Sequence, residues 1–209
     1  MALDLTYFKY KDWLDTALNL PFMSPESSLP VVIVLAAGRG ERFAASGGTV
    51  HKLQALLAGK AVMERVLDAV KASGLPYHVV DADTSRPGMG DSIAAGVRAT
   101  SDAAGWLILP ADLPLVRSET LRAVAMAPPC AVTVPVYQGR RGHPVRFAAE
   151  CREKLLNLEG NSGAAGVIRA YDAIESVAIM ALDDAGIVTD IDTLADLQQA
   201  ADLLVRRPG

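Results

Sequence analysis

The sequence predicts a doubly wound α/β fold, a mostly parallel sheet with helices on both faces. Three observations predict it. Short runs that are apolar throughout, "VVIVLA", "GWLILPA" and "AVTVPVY", read as strands buried on both sides. Between them, "AVMERVLDAVKAS", "DSIAAGVRATSD" and "SETLRAVAM" space their apolar residues as one face of a helix. The two patterns alternate, as strand–helix–strand crossovers require.

Taken in order, residues 5–20, "LTYFKYKDWLDTALNL", place Leu5, Phe8, Trp13, Leu14 and Leu18 at helical spacing and predict an amphipathic helix. The linker "PFMSPESSLP" sets an N-terminal segment, residues 1–30, apart from a main domain, residues 31–209. Docking on that domain is the simpler role for the helix, oligomerisation the sharper one. The main domain opens with "VVIVLA", continues through the helix of residues 61–73 and adds one strand, "PYHVVDA". The helix of residues 91–102, "GWLILPA", the helix of residues 118–126 and "AVTVPVY" follow. The chain ends with "GHPVRF", helices over 148–156 and 162–171, a strand in "ESVAIMAL" and a helix over 193–205.

A net charge of −4 over 209 residues lacks the broad basic surface that nucleic-acid binding needs. Cys130 and Cys151 have neither metal-ligand spacing nor partners for a disulfide framework, which predicts a reduced, cytoplasmic setting. Asp4, Lys9, Lys11, Asp12 and Asp15 interrupt any signal-peptide core, and no apolar run is long enough to cross a bilayer. Neither nucleic acid nor membrane is an expected partner.

The chemistry is expected in "VVIVLAAGRGERFAASGGTVHKL", where a buried strand runs into a Gly-rich loop. In an open α/β sheet the first strand-to-helix loop is the usual phosphate site. Gly38 and Gly40 let backbone N–H groups approach phosphate oxygens, and Arg42 and Lys52 supply the charge that dipoles cannot. A dinucleotide fingerprint would need glycine where Phe43 stands, which argues against a nicotinamide oxidoreductase. A Walker loop would need Ser or Thr after its lysine, but Leu53 follows Lys52 and Ala61 follows Lys60. Asp112, in "LPADLPLV", stands just past a strand and facing this cationic loop, as a Mg²⁺ ligand shared with phosphate would. It also suits a simple turn cap. In "VTDIDTLADL", Asp190 and Asp192 alternate, so one of them can complete the metal shell; otherwise Asp192 or Thr193 caps the last helix.

Together these stretches resemble the nucleotidyltransferases that build the molybdenum cofactor's cytidine and guanine dinucleotide forms. "LAAGRGERF…HKL" is similar to that family's nucleotide loop, "GMGDSIAAGV" to its second loop and "LPADLPLV" to its metal aspartate. "GRRGHPV" is similar to its substrate segment and "DIDTLADL" to its closing motif, in family order. The resemblance implies a Rossmann-like nucleotidyltransferase fold in which Leu35, Ala36, Ala37, Gly38, Arg39 and Gly40, with Arg42 and Lys52, hold the triphosphate and part of the base. Gly88, Met89 and Ser92 would touch the nucleotide, Asp112 and Asp192 the Mg²⁺, and Arg141, Gly142, His143 and Asn161 the acceptor. The implied reaction is attack by the terminal phosphate of molybdopterin on the α-phosphorus of a nucleoside triphosphate, with a molybdoenzyme apoprotein as a further partner. Ala37, where the guanylyl branch carries Gly, tilts the expectation to CTP over GTP.

The chain departs from the family in three places. The insertion "AASGGTVH" lengthens the path from Arg42 to Lys52 and predicts a mobile lid under Lys52. "GNSGAAG" puts Asn161 and Ala165 where the family has an acid and an arginine, which keeps two alternatives open: transfer to another phosphorylated small molecule, or a cofactor carrier without catalysis. Only one strand fits between residue 73 and "GMGDSI", so a βα unit is missing; the N-terminal helix is expected to fill part of the nucleotide pocket.

Overall fold

This computed structural model describes residues 29–81 and 88–206, together with the backbone of residues 7–9. In chain order the elements are β1 (Tyr7–Lys9), β2 (Val31–Leu35), α1 (Glu41–Ala45), β3 (Leu56–Leu57), β4 (Lys60–Ala61), α2 (Val62–Ser73) and β5 (Tyr77–Val80). Next come α3 (Met89–Ala99), β6 (Gly105–Pro110), α4 (Ser118–Ala125), β7 (Val132–Tyr137), β8 (Arg140–Arg141) and β9 (Val145–Ala148). The last are α5 (Arg152–Leu156), α6 (Ala165–Asp172), β10 (Val177–Ala181) and α7 (Leu194–Arg206).

The main sheet runs β1-β10-β7-β9-β6-β2-β5, with β8 hairpinned onto β7, while β3 and β4 pair separately. Its two faces follow from the period of two in the strands. Val32 and Val34 of β2, with Leu107 and Leu109 of β6, join a core containing Val66, Leu121 and Ala200 of α2, α4 and α7. Ile33, Leu35, Trp106 and Ile108 point the other way, to Ile93, Leu155 and Val167 of α3, α5 and α6. Burying each such aliphatic side chain stabilises the fold by about 1.5–3 kcal/mol relative to leaving it in water. Gly96 lets α3 settle on β2, since a Cβ there would lie 2.6 Å from Ile33 Cγ2.

The doubly wound, mostly parallel architecture is as the sequence predicts, and one element, at residues 7–9, is corrected. The sheet is mixed, because β9 runs antiparallel to both β6 and β7. A short strand flanked by turns carries no sign of its direction in its sequence. Residues 7–9 form a strand, parallel to β10, in place of part of the helix expected over residues 5–20; the remainder of that stretch lies outside the described residues. β1 sits at the edge of the sheet opposite β5. β5, the strand read from "PYHVVDA", pairs with β2.

Candidate functional site

The topology sends the important loops to one edge. β2 has β5 on one side and β6 on the other, all parallel, so their carboxyl ends lie together at a switch point in strand order. β9 runs the opposite way, and its first residue, Val145, pairs with Ile108 near the end of β6. His143, two residues earlier, therefore reaches the same edge. The β7–β8 hairpin brings Arg140 and Arg141 there as well.

At the centre is Lys52. Its ammonium donates to Asp112 Oδ2 at 2.6 Å and Asp192 Oδ1 at 2.9 Å, and Arg42 Nη1 reaches the other oxygen of Asp192 at 2.8 Å. Burial alone would lower the Lys52 pKa; the two carboxylates outweigh it and hold the pKa above its ordinary value. The expected lid is thus corrected: Lys52 is 7% exposed and sits in a 3-10 turn, Lys52–Gln54. Burial of Phe43 anchors the insertion, and Gly48 packs so closely on that ring that a Cβ would lie 2.3 Å from it. Ser46 Oγ, bonded to the Phe43 carbonyl, accepts from Leu194 N–H at the start of α7.

Asp192 reaches Asp112 because Ile191 N–H donates to the Asp112 carbonyl at 2.9 Å. The helix cap falls elsewhere. Thr193 N–H and Oγ1 donate to Asp196 Oδ2, and Asp196 N–H donates back to Thr193 Oγ1, a reciprocal arrangement at the start of α7. Asp192 is left to face Lys52 and Arg42. Buried Asp184 holds the segment before it, accepting from Gly186 N–H, Arg117 N–H and the Thr120 hydroxyl on α4.

Asp112 and Asp192, which share the Lys52 ammonium, are also the carboxylates that could hold a divalent cation, with the ammonium giving way to it. Among the described residues no three His, Cys, Asp or Glu side chains are grouped to hold a metal by themselves. A pair of hard oxygen donors suits Mg²⁺ or Mn²⁺, which keep waters and take further ligands from substrate phosphates. The donor set therefore fits a metal shared with a polyphosphate.

The second loop is packed against residues 159–162. A Cβ on Gly88 would lie 2.1 Å from the Gly160 carbonyl, and a Cβ on Gly90 2.8 Å from the Glu159 and Ser162 oxygens. Gly90 N–H donates to the Gly160 carbonyl, and Gly160 N–H to Asp91 Oδ2. Gly88 and Gly90 are thus required by backbone contact.

His143 Nδ1–H donates to the Ile108 carbonyl at 3.3 Å. Burial pushes its pKa below the usual value, against the Ile108 carbonyl and the Asp112 and Asp190 charges that raise it. It is neutral at pH 7, so positive charge at this corner comes from Arg140 and Arg141.

These groups surround a cleft of about 740 Å³. The structure brings into its lining Leu35, Ala37, Gly38, Arg39, Gly40, Arg42, Lys52, Met89, Ser92, Asp112, Arg141, Gly142, His143, Asn161 and Asp192. Ala36 and Gly88 do not line it. Ala36 packs on the apolar core, and Gly88 packs on Gly160. The sequence reading missed Glu41, Leu113, Ile187 and Val188. The last two are brought in by backbone bonds that leave no sequence signature: His143 N–H donates to the Ile187 carbonyl and Arg140 Nη2 to that of Val188.

A family model for the MobA-like NTP transferase domain matches residues 32–175. This chain belongs to that family. The matched span contains the Gly-rich loop, Lys52, Asp112 and His143, and stops before Asp192. No curated protein matches the chain closely enough to count as a relative. Among solved structures, a nucleotidyl transferase from Methanothermobacter thermautotrophicus is similar at TM-score 0.70 and 21% identity, covering 85% of this chain and 98% of its own. Mycobacterium tuberculosis Rv0371c, solved in complex with manganese, gives TM-score 0.66 at 20% identity, covering 84% and 99%. The molybdopterin-guanine dinucleotide biosynthesis protein A of Archaeoglobus fulgidus gives 0.55 at 17% identity, covering 85% and 100%. At these identities the likenesses establish the fold, a MobA-like nucleotidyltransferase fold. No helix among the described residues is long and apolar enough to cross a membrane.

Proposed function

We propose that this MobA-like NTP transferase moves CMP from CTP to the terminal phosphate of molybdopterin, or of its metal-loaded form, with release of pyrophosphate. The observation that carries the reading is the Lys52 ammonium held between Asp112 and Asp192 beside the Gly-rich loop. Cation and acids stand together where a triphosphate enters an α/β sheet.

The roles follow from charge and position. The backbone of residues 37–40 cradles phosphate oxygens, and Arg42 and Lys52 neutralise the charge that grows on the departing pyrophosphate. Asp112 and Asp192 would hold a Mg²⁺ ion, which when bound supplies further neutralisation of the phosphate oxygens. Arg140 and Arg141 hold the acceptor phosphate in line with the α-phosphorus, and neutral His143 orients it from the side of β9. An acceptor phosphate oxygen forms the new P–O bond as the bond to pyrophosphate breaks, and the pyrophosphate takes the electron pair. No covalent enzyme intermediate is involved. Use of a divalent metal is supported by the manganese complex of Rv0371c, and a molybdopterin acceptor by the Archaeoglobus protein's name. Ala37 in the cleft lining favours the smaller base, hence CTP over GTP. A cytoplasmic enzyme of this kind would pass its product to a molybdoenzyme apoprotein.

Asn161 favours one alternative. It lines the cleft as a neutral amide where the family carries an acid, and Ala165 opens α6 where the family carries arginine, which suits a different phosphorylated small molecule. The carrier reading is disfavoured, because carriage does not require a lysine between two metal-binding acids.

The deciding experiment is pyrophosphate release with Mg²⁺, purified molybdenum cofactor and either CTP or GTP. Release with CTP alone supports the proposal, and faster release with GTP overturns the choice of base. Nucleotide binding without release with either directs the search to another phosphorylated acceptor.

A further inference from the structure

His51 lies outside the cleft lining, yet both its ring nitrogens are engaged. Leu53 N–H donates to Nδ1 at 3.3 Å, capping the turn that carries Lys52, and Nε2 lies 2.8 Å from the Gly38 carbonyl oxygen. A nitrogen that accepts an N–H bears no proton, and a carbonyl oxygen can only accept. The two bonds therefore select one neutral tautomer, protonated at Nε2. A single planar ring links the backbone of the Gly-rich loop to the Lys52 turn.

Packing reinforces the link. A Cβ on Gly40 would lie 3.4 Å from His51 Cδ2 and Nε2 and 3.6 Å from Lys52 Cγ, and one on Gly38 would lie 3.6 Å from Lys52 Cε. Loop backbone, imidazole and lysine stem are thus stacked in contact. His51 also ends the insertion "AASGGTVH". The insertion is anchored at its start by buried Phe43 and by Ser46, and His51 ties its other end back to the Gly-rich loop.

We propose that His51 is a positioning residue, a splint that fixes the Gly38–Gly40 backbone relative to the Lys52 ammonium so that one polyphosphate meets both together. The proposal rests on the nucleotide reading above. His51 acts without touching the nucleotide, by ordering two phosphate-binding elements before it arrives.

The test uses the full chain and two variants. His51→Asn keeps a side-chain acceptor for Leu53 N–H, as an asparagine cap does, but is too short to hold Gly38; His51→Ala loses both bonds. Long-range ¹H–¹⁵N NMR of the wild-type imidazole should show the Nε2–H tautomer. In His51→Asn, amide exchange at residues 38–42 should accelerate and CTP affinity with Mg²⁺, by calorimetry, should weaken about fivefold, the worth of one neutral hydrogen bond. The melting temperature should fall by no more than about 4 °C, the cost of one neutral hydrogen bond with the turn cap retained, and His51→Ala should lose CTP affinity at least as far. An Nδ1–H tautomer, unchanged loop exchange, or faster exchange with unchanged CTP affinity overturns the splint. Wild-type protein that binds neither CTP nor GTP overturns the nucleotide reading and the splint's purpose with it, while the tautomer and exchange still report whether the link exists.

Discussion

Lys52 Nζ lies 2.6 Å from Asp112 Oδ2, a contact spanning 60 residues of sequence, and both side chains are largely withdrawn from water. The ammonium is the counter-ion of two acids that would otherwise repel one another in a half-dry cleft. Removing it by Lys52→Met should destabilise the fold by about 1–3 kcal/mol, the cost of leaving partly buried charge unpaired. Millimolar Mg²⁺ should restore much of the lost melting temperature, because a divalent cation can take the same place. A variant as stable as wild type without Mg²⁺ would show that the acids do not need the lysine.

Asp112 itself should be indispensable to turnover and dispensable to folding. Its side chain bonds only to Lys52 among the interactions described, while its backbone carbonyl holds Ile191 N–H and survives substitution. Asp112→Asn should cut pyrophosphate release by about a thousandfold, as removal of a metal-phosphate contact does. Mn²⁺ binding, read by electron paramagnetic resonance, should weaken in parallel. Full activity in this variant would remove Asp112 from the reaction.

Arg42 differs in kind. Its side chain is 78% exposed and reaches Asp192 from the solvent side, so the ion pair contributes little to stability. Arg42→Ala should leave the melting temperature nearly unchanged, raise KM for the nucleotide and lower kcat about tenfold if its contact strengthens in the transition state. A change in KM alone would assign Arg42 to ground-state binding.

The pH dependence of stability should carry the signature of His143. Burial lowers its folded pKa, so on acidification the unfolded chain takes up the proton first. The stability it contributes is complete above about pH 6.5 and falls as pH drops through that value toward the lower folded pKa. Chemical denaturation from pH 7.5 to 5 should therefore show a smaller loss for His143→Gln than for wild type. Parallel curves would mean that His143 titrates alike in both states. Lys52 contributes nothing in this window, because its raised pKa keeps it charged until well above neutrality.

Much of the cleft lining was legible in the sequence because its residues sit in loops that follow apolar strands. Apolar runs marked β2 and β6, and the loops at their carboxyl ends carried Gly38, Gly40 and Asp112. Features set by tertiary pairing were not legible. The direction of β9 depends on the two strands it lies between, and β1 is a strand because β10 offers an open edge, although the spacing of residues 5–20 suggests a helix. The insertion before Lys52 looks mobile by composition, and is held by Phe43, Ser46 and His51 through contacts that no local pattern reports. The sequence likewise left Asp192 and Thr193 competing for one cap, which the bonds between Thr193 and Asp196 decide.

Gly88 and Gly186 each seat a segment of the cleft by close backbone packing. A Cβ at Gly186 would lie 2.0 Å from the Leu115 carbonyl, behind the cleft, and at Gly88 2.1 Å from the Gly160 carbonyl, beside it. Both substitutions to alanine force backbone apart and should cost about 1–3 kcal/mol, the usual penalty of overpacking. Each should also disturb one side of the acceptor corner. Displacing residues 159–163 moves Asn161, so Gly88→Ala should raise KM for the acceptor more than for the nucleotide at temperatures where the protein stays folded. Gly186→Ala presses on the turn that bears Ile187 and Val188, whose carbonyls hold His143 N–H and Arg140, so it should raise the acceptor KM from that side as well as lower the melting temperature. An acceptor KM in Gly88→Ala equal to that of the wild-type protein would mean that the segment around Asn161 is scaffold and takes no part in acceptor recognition.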